Sequence, residues 1–297
     1  MSTSSASYYE PLDGGRFRST AATAGPWSEQ AQHGGPPASL LGRALESLED
    51  GPPRVIGRFT MDLLGPVPVD ELVVTASVLR PGRTVSLRQA ELSDASGRVV
   101  ARAQGWAFPG GARSDGPGGF GVPLEHGPAD GHHEEPPASW SRGYLDSVEW
   151  LWISGAVTRP GPAVVWMRPR TRLVPDEELS PLQRLLACVD SASGASAALD
   201  VTEWNFMNTE LTVHVVRPPV GEWVCLHADT TLGPGSVGVA AAEVYDERGL
   251  VARSAQALLV TPRNVGRPPG GSARVHGRGR GRPRATGHRD EGERTRP

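Results

Sequence analysis

The sequence predicts an α+β fold built from two like halves, each an antiparallel sheet wrapped around one helix. Three observations predict it. Residues 60–108 align without a gap on residues 212–260, an offset of 152, with eleven of 49 pairs identical. Composition alone would give about three or four. The offset carries Pro66 onto Pro218, Glu91 onto Glu243, Gly97 onto Gly249 and Gln104 onto Gln256, so one unit is used twice. A helical stripe precedes the strands of the first half. The strands themselves are joined by tight turns, which argues for an antiparallel meander and not an alternating βαβ sheet.

The elements follow in order. Gly34-Gly35-Pro36-Pro37 leads into Leu40, Leu41, Ala44, Leu45 and Leu48. Those spacings make one helical face, and proline suits a first helical turn. In the second half, Asp190 precedes a small-residue segment from Ser191 to Leu199, read as the matching helix. Residues 223–230 and 237–245 have strand length and β-rich ends. Asp246-Glu247-Arg248-Gly249 reads as a hairpin turn with Asp94-Ala95-Ser96-Gly97 as its counterpart. The strand 250–260 then carries Gln256.

The predicted organisation is an N-terminal repeat (8–108), an unstructured linker (109–138), a C-terminal repeat (139–262) and an unstructured Arg/Gly/Pro-rich tail (263–297). Linker and tail hold too few apolar residues to offset the entropy of ordering. The net charge of -3 conceals an asymmetry, since residues 267–297 hold nine Arg against three acidic residues. No aromatics interleave those arginines, so the tail reads as solvated and not as a nucleic-acid contact. No run of about 18 apolar residues occurs, and no membrane span is expected. The first nine residues lack a basic start and an apolar core, so no signal peptide is expected. Cys188 and Cys225 lie in apolar stretches and read as buried free thiols, in keeping with a cytoplasmic protein. No zinc spacing occurs, and no metal or redox cofactor is expected.

Several familiar patterns fail on context. Gly233-Pro234-Gly235-Ser236-Val237-Gly238 spells a dinucleotide fingerprint, but a strand follows it where a helix is required. Gly194-Ala195-Ser196-Ala197-Ala198 lacks the last glycine of a nucleophile elbow. His126, His132, His133, Glu134 and Glu135 fall in the linker, without the rigid frame a metal needs. Polar residues near helix starts or in apolar strands remain. Asp190 can cap the helix after it. Gln256 sits between Ala255 and Ala257 and must find partners there. Asn208 precedes the strand 211–216.

Read together, these segments resemble the acyl-CoA thioesterase II (TesB-like) family. His33-Gly34-Gly35-Pro36-Pro37-Ala38 looks like the start of a first hotdog helix, and Asp190-Ser191-Ala192-Ser193-Gly194 like the Ser-Asp start of the second. Leu211 to Pro218 resembles the strand ending in Arg-Pro, and Ser254-Ala255-Gln256 the final Gln strand. The resemblance implies a double hotdog fold and hydrolysis of acyl-CoA or an acyl-carrier thioester. In that family an Asp, a Thr and a Gln of the second repeat orient the attacking water. Here the first and last are Asp190 and Gln256, and the Thr position falls on Asn208, a departure that keeps hydrogen-bonding capacity. The resemblance assigns His33, Gly34 and Gly35 to the substrate, with backbone N–H groups there or just after Asp190 stabilising the oxyanion. It implies one working site per chain, because only the second half pairs a carboxylate with its Gln. The alternatives are a hotdog dehydratase or hydratase, for which His33 argues, and a non-catalytic acyl-thioester-binding protein. The sequence leaves open whether the chain forms a homo-oligomer.

Overall fold

The helix read at Pro36 forms at that place. In the computed structural model, which describes residues 7–111 and 121–263, α1 runs Gly35–Glu46 and buries Leu40, Leu41 and Leu45. The other helices are α2 (Gly143–Ser147), α3 (Pro181–Val189) and α4 (Ala192–Ala195). The first-half strands are β1 (Tyr9–Pro11), β2 (Arg16–Ser19), β3 (Ala24–Gly25), β4 (Ser28–Gln32), β5 (Arg54–Leu63), β6 (Glu71–Arg80), β7 (Ser86–Asp94) and β8 (Val99–Pro109). The second half holds β9 (Val148–Ala156), β10 (Arg159–Pro169), β11 (Trp204–Asn208), β12 (Glu210–Val215), β13 (Val224–Leu232), β14 (Val237–Asp246) and β15 (Gly249–Pro262).

One antiparallel sheet takes the order β1-β2-β6-β7-β8-β5-β12-β15-β14-β13-β10-β9, with β11 also on β15 and β3–β4 forming a separate hairpin. The order reads alike outward from the β5–β12 junction. At that junction Thr60 stands opposite Thr212, two residues that the sequence offset equates. α1 packs on β5 to β8, while α3 and α4 pack on β10, β13 and β14. The two helix layers meet inside a largely continuous apolar core.

Four expectations are corrected. The second-half helix begins at Pro181, not near Ser191. Ser180 caps it through Gln183 in a reciprocal capping box, a Ser-Pro-x-Gln start signal that the small residues after Asp190 obscured. Ser191 instead opens the four-residue turn α4, with no side-chain cap.

Gln104 does not occupy the place of Gln256. On β8, Arg88 stands opposite Gly105, whereas on β15 Ala240 stands opposite Gln256. The β7–β8 hairpin spans nine positions from Leu92 to Ala101, and the β14–β15 hairpin eight from Val244 to Ala252. A one-residue difference in the turn flips every side chain of the strand beyond it. Gln104 therefore faces away from the helices and bonds Gln89 at 3.3 Å, while Gln256 is fully buried.

The third correction concerns the linker. Pro109 closes β8, and residues 121–138 pack on the second half. His132 pairs its backbone with Trp152, and the Trp166 indole donates to His126 O at 3.1 Å. Residues 133–136 wall a cavity of about 200 Å³ floored by Trp150 and Trp152. Backbone pairing and aromatic packing thus hold a Gly/Pro-rich stretch whose own composition offers no core. Residues 112–120 lie outside the described residues.

Fourth, Arg263, counted with the tail, is described and lies over the Trp27 ring at 4.9 Å. The tail from residue 264 lies outside the described residues.

Candidate active site

The site forms where α1 and α3 cross, and glycines let them approach. Ser39 Oγ donates to Gln183 O at 2.8 Å, and Gly42 faces Leu186. A Cβ on Gly35 would stand 2.4 Å from Ala187 O, and one on Gly34 would stand 2.6 Å from the Asp190 carboxylate. Any larger residue would push α1 off the carboxylate.

Asp190 ends α3 and is 5% exposed. It does not cap α4. Its Oδ1 accepts Asn208 Nδ2 at 2.7 Å and Gln256 Nε2 at 3.1 Å. Gln256 Nε2 also donates to Asp190 O at 3.1 Å, and Gln256 Oε1 accepts Ser193 N–H at 3.1 Å. The last bond fixes the amide orientation. The structure thus brings together Asp190, Asn208 and Gln256, residues far apart in sequence. Asn208 arrives because β11 pairs with β15 in a register that sets Asn208 opposite Leu258, two residues beyond Gln256.

His33 Nδ1 stands 3.3 Å from Asp190 Oδ2. The two are not an ion pair at neutral pH. Burial lowers the His33 pKa, with the Asp190 charge opposing, and Gly35 N–H donates to Nδ1 at 3.0 Å. The neutral ring therefore carries its proton on Nε2. While His33 is neutral, Asp190 Oδ2 receives no hydrogen bond among the described residues, which leaves it as the open acceptor.

The expected oxyanion donors are mostly taken. Gly35 N–H serves His33, Ser193 N–H serves Gln256, and Pro36 and Pro37 have none. Gly34 N–H remains without a protein acceptor among the described residues. Sequence reasoning missed Tyr144. Its ring stacks on His33 at 3.7 Å and 5°, and its hydroxyl bonds Ala187 O at 2.6 Å and Ser191 Oγ at 2.9 Å. Nothing local marks it, because its partners lie in distant segments. The Arg-Pro motif proves structural, with Arg217 gripping the buried Asp246 carboxylate through two bonds of 2.6 Å.

Comparison with known proteins agrees with this geometry. Family profiles for the N-terminal and C-terminal domains of acyl-CoA thioesterase match residues 23–108 and 125–260. The chain belongs to the acyl-CoA thioesterase family. It is accordingly a thioester hydrolase. Among solved structures, a candidate thioesterase II from Thermobifida fusca shares 17% identity at a TM-score of 0.68, over 86% of this chain and 96% of that one. A hot dog fold protein from Alicyclobacillus acidocaldarius shares 18% at 0.66, over 84% and 95%. An acyl-CoA thioesterase II from Mycobacterium marinum shares 12% at 0.58, over 88% and 97%. At such identities these neighbours establish the hotdog fold of the thioesterase. No curated protein matches the sequence.

Proposed function

We propose that the thioesterase hydrolyses acyl-CoA, or a like acyl thioester, with a water held by Asp190, Asn208 and Gln256. The observation that carries this reading is the asymmetry of the Asp190 carboxylate. Two amide donors hold Oδ1, which orients the carboxylate, while Oδ2 stays open. A water on Oδ2 gives its proton to Asp190 as its oxygen attacks the acyl carbon. The C–S bond then breaks, and the departing thiolate takes that proton. Asn208 Oδ1 accepts the water's second proton in a hydrogen bond, a task suited to the Thr-to-Asn departure. Gly34 N–H, the unused donor at the start of α1, faces the oxyanion. The neutral His33 positions Gly35 and lacks the free Nδ1 lone pair that a dehydratase base would need.

The chain is read as two copies of one hotdog unit, with one working site. The first-half position matching Gln256 is Gly105, and the position matching Ala240 is Arg88. Arg88 fills that space, donating to Leu45 O at 2.6 Å and pairing with Asp50. The test is thiol release from a panel of acyl-CoAs. Saturable binding without thiol release would instead make the chain an acyl-thioester-binding protein.

A further inference from the structure

Two segments flank Asp190 as walls, each touching its carboxylate at one end. One is the β3–β4 hairpin, with Trp27 at its turn and His33 at its foot. The other is β11, with Asn208 at its foot. Phe206 and Trp204 share the side of β11 that bears Asn208, because side chains alternate along a strand. Both are half-buried, and they pack with Leu258 and Val260 in a cluster apart from the main core. The walls meet again at the far end. The Arg263 guanidinium lies over the Trp27 ring at 4.9 Å, while Arg263 Nε donates to Trp204 O at 3.3 Å and its N–H to Glu203 O at 2.7 Å. Trp140 packs edge-on against Trp27 at 4.4 Å. From Asn208 to Trp204 is four strand residues, roughly 13 Å.

We propose that Arg263, stacked on Trp27, binds the phosphate-bearing end of the substrate's thiol carrier. The proposal rests on Asp190 being the hydrolytic centre. Trp27 is 47% exposed, so the clasp lies at the surface. Among the described residues no carboxylate pairs with Arg263, and one bond to a carbonyl leaves most of its donors for a ligand. A guanidinium matches phosphate in geometry and charge, and the indole holds it without neutralising it. The half-buried apolar flank of Phe206 and Trp204 suits the pantetheine arm, whose thioester end reaches Asp190 while its phosphate end reaches Arg263. Coenzyme A and a carrier protein's 4′-phosphopantetheine share this chemistry.

The experiment compares octanoyl-CoA, octanoyl-4′-phosphopantetheine and octanoyl-N-acetylcysteamine, which lacks phosphate, in wild type, Arg263→Ala and Arg263→Lys of equal melting temperature. Arg263→Ala should raise KM for octanoyl-CoA about tenfold or more, as loss of a charged hydrogen bond implies, with kcat nearly unchanged. The N-acetylcysteamine thioester should be unaffected, and lysine should restore part of the loss. A matching rise for the phosphopantetheine thioester locates the contact at the proximal phosphate, and a rise for CoA alone at the nucleotide phosphates. Both outcomes support the proposal. Equal losses on all three substrates, or no loss on any, would overturn it. A wild type that cleaves none of them overturns the hydrolytic reading instead. Calorimetric titration with free CoA then decides, and equal affinity of wild type and Arg263→Ala would refute the clasp.

Discussion

Replacing Asp190 by Asn separates chemistry from architecture. The carboxylate accepts two amide donors on Oδ1 and stands beside neutral His33 on Oδ2. An Asn side chain with its oxygen toward Asn208 and Gln256 keeps both bonds, and its NH2 then takes the place of the open Oδ2, where it can donate to the bound water. The substitution also removes a buried charge, whose retention is costly. Stability should change by no more than about 1 kcal/mol, since no cavity forms and no buried donor is stranded. Turnover should not survive, because an amide cannot take the water's proton. Loss of a general base costs about 10²–10⁴-fold, or roughly 3–5.5 kcal/mol of barrier at about 1.4 kcal/mol per tenfold. The assay is thiol release from a saturating acyl-CoA, with melting temperature and acyl-CoA affinity measured on the same preparation. Full turnover in a folded Asp190→Asn protein would refute the assignment and leave Asp190 a packing residue.

Gln256→Ala should cut kcat by tenfold or more, about the effect of one lost positioning bond to a charged group, whereas Gln104→Ala should leave turnover within twofold, about the size of a surface change; comparable losses would put Gln104 at the site after all. Burial holds the His33 pKa low against the pull of Asp190. The stability this contributes is full above the unfolded value of about 6.5 and falls as pH drops toward the lower folded value. Plots of melting temperature against pH should therefore diverge below about 6.5 for wild type and His33→Gln, and parallel plots would mean that folding does not shift the His33 pKa. Burial would raise the Asp246 pKa, but the Arg217 guanidinium and the Val220 and Arg248 N–H groups hold it low. Asp246→Asn should cost about 3–5 kcal/mol in urea unfolding at pH 7, as expected when a buried ion pair is broken. A loss under about 1 kcal/mol would show the pair to be worth no more than a surface one.

Much of the fold was legible because it rests on local rules. Gly34-Gly35-Pro36-Pro37 and the leucine stripe set α1, and turn residues set the β14–β15 hairpin. The Asp190, Asn208 and Gln256 cluster was legible only through family resemblance, because nothing local brings residues 190, 208 and 256 together. Three features could not be read. The proline and capping box at Ser180 were masked by the small-residue run that follows Asp190. Tyr144 acts through a stack on His33, which no spacing encodes. The docking of residues 121–138 depends on β9 and Trp166, outside the segment itself.

The false equivalence of Gln104 and Gln256 has the same root and says why the halves differ. The gapless offset holds through β7 and β14, where Ala90 and Ala242, Leu92 and Val244 all face inward. It fails at the turn, because sequence identity does not register a hairpin shorter by one residue. Past that turn the inward positions are Ala103, Gly105 and Ala107 in one half but Ser254, Gln256 and Leu258 in the other. A buried Gln is tolerable only with partners for both ends of its amide, and the second half supplies them in Asp190 and Ser193 N–H. The first half has glycine there and admits Arg88, which ties the end of α1 to Asp50. One strand position thus completes a carboxylate site in one half and, left as glycine, admits a structural ion pair in the other. On the proposed reading, the difference between the halves was built by the turn as much as by the residues at the site.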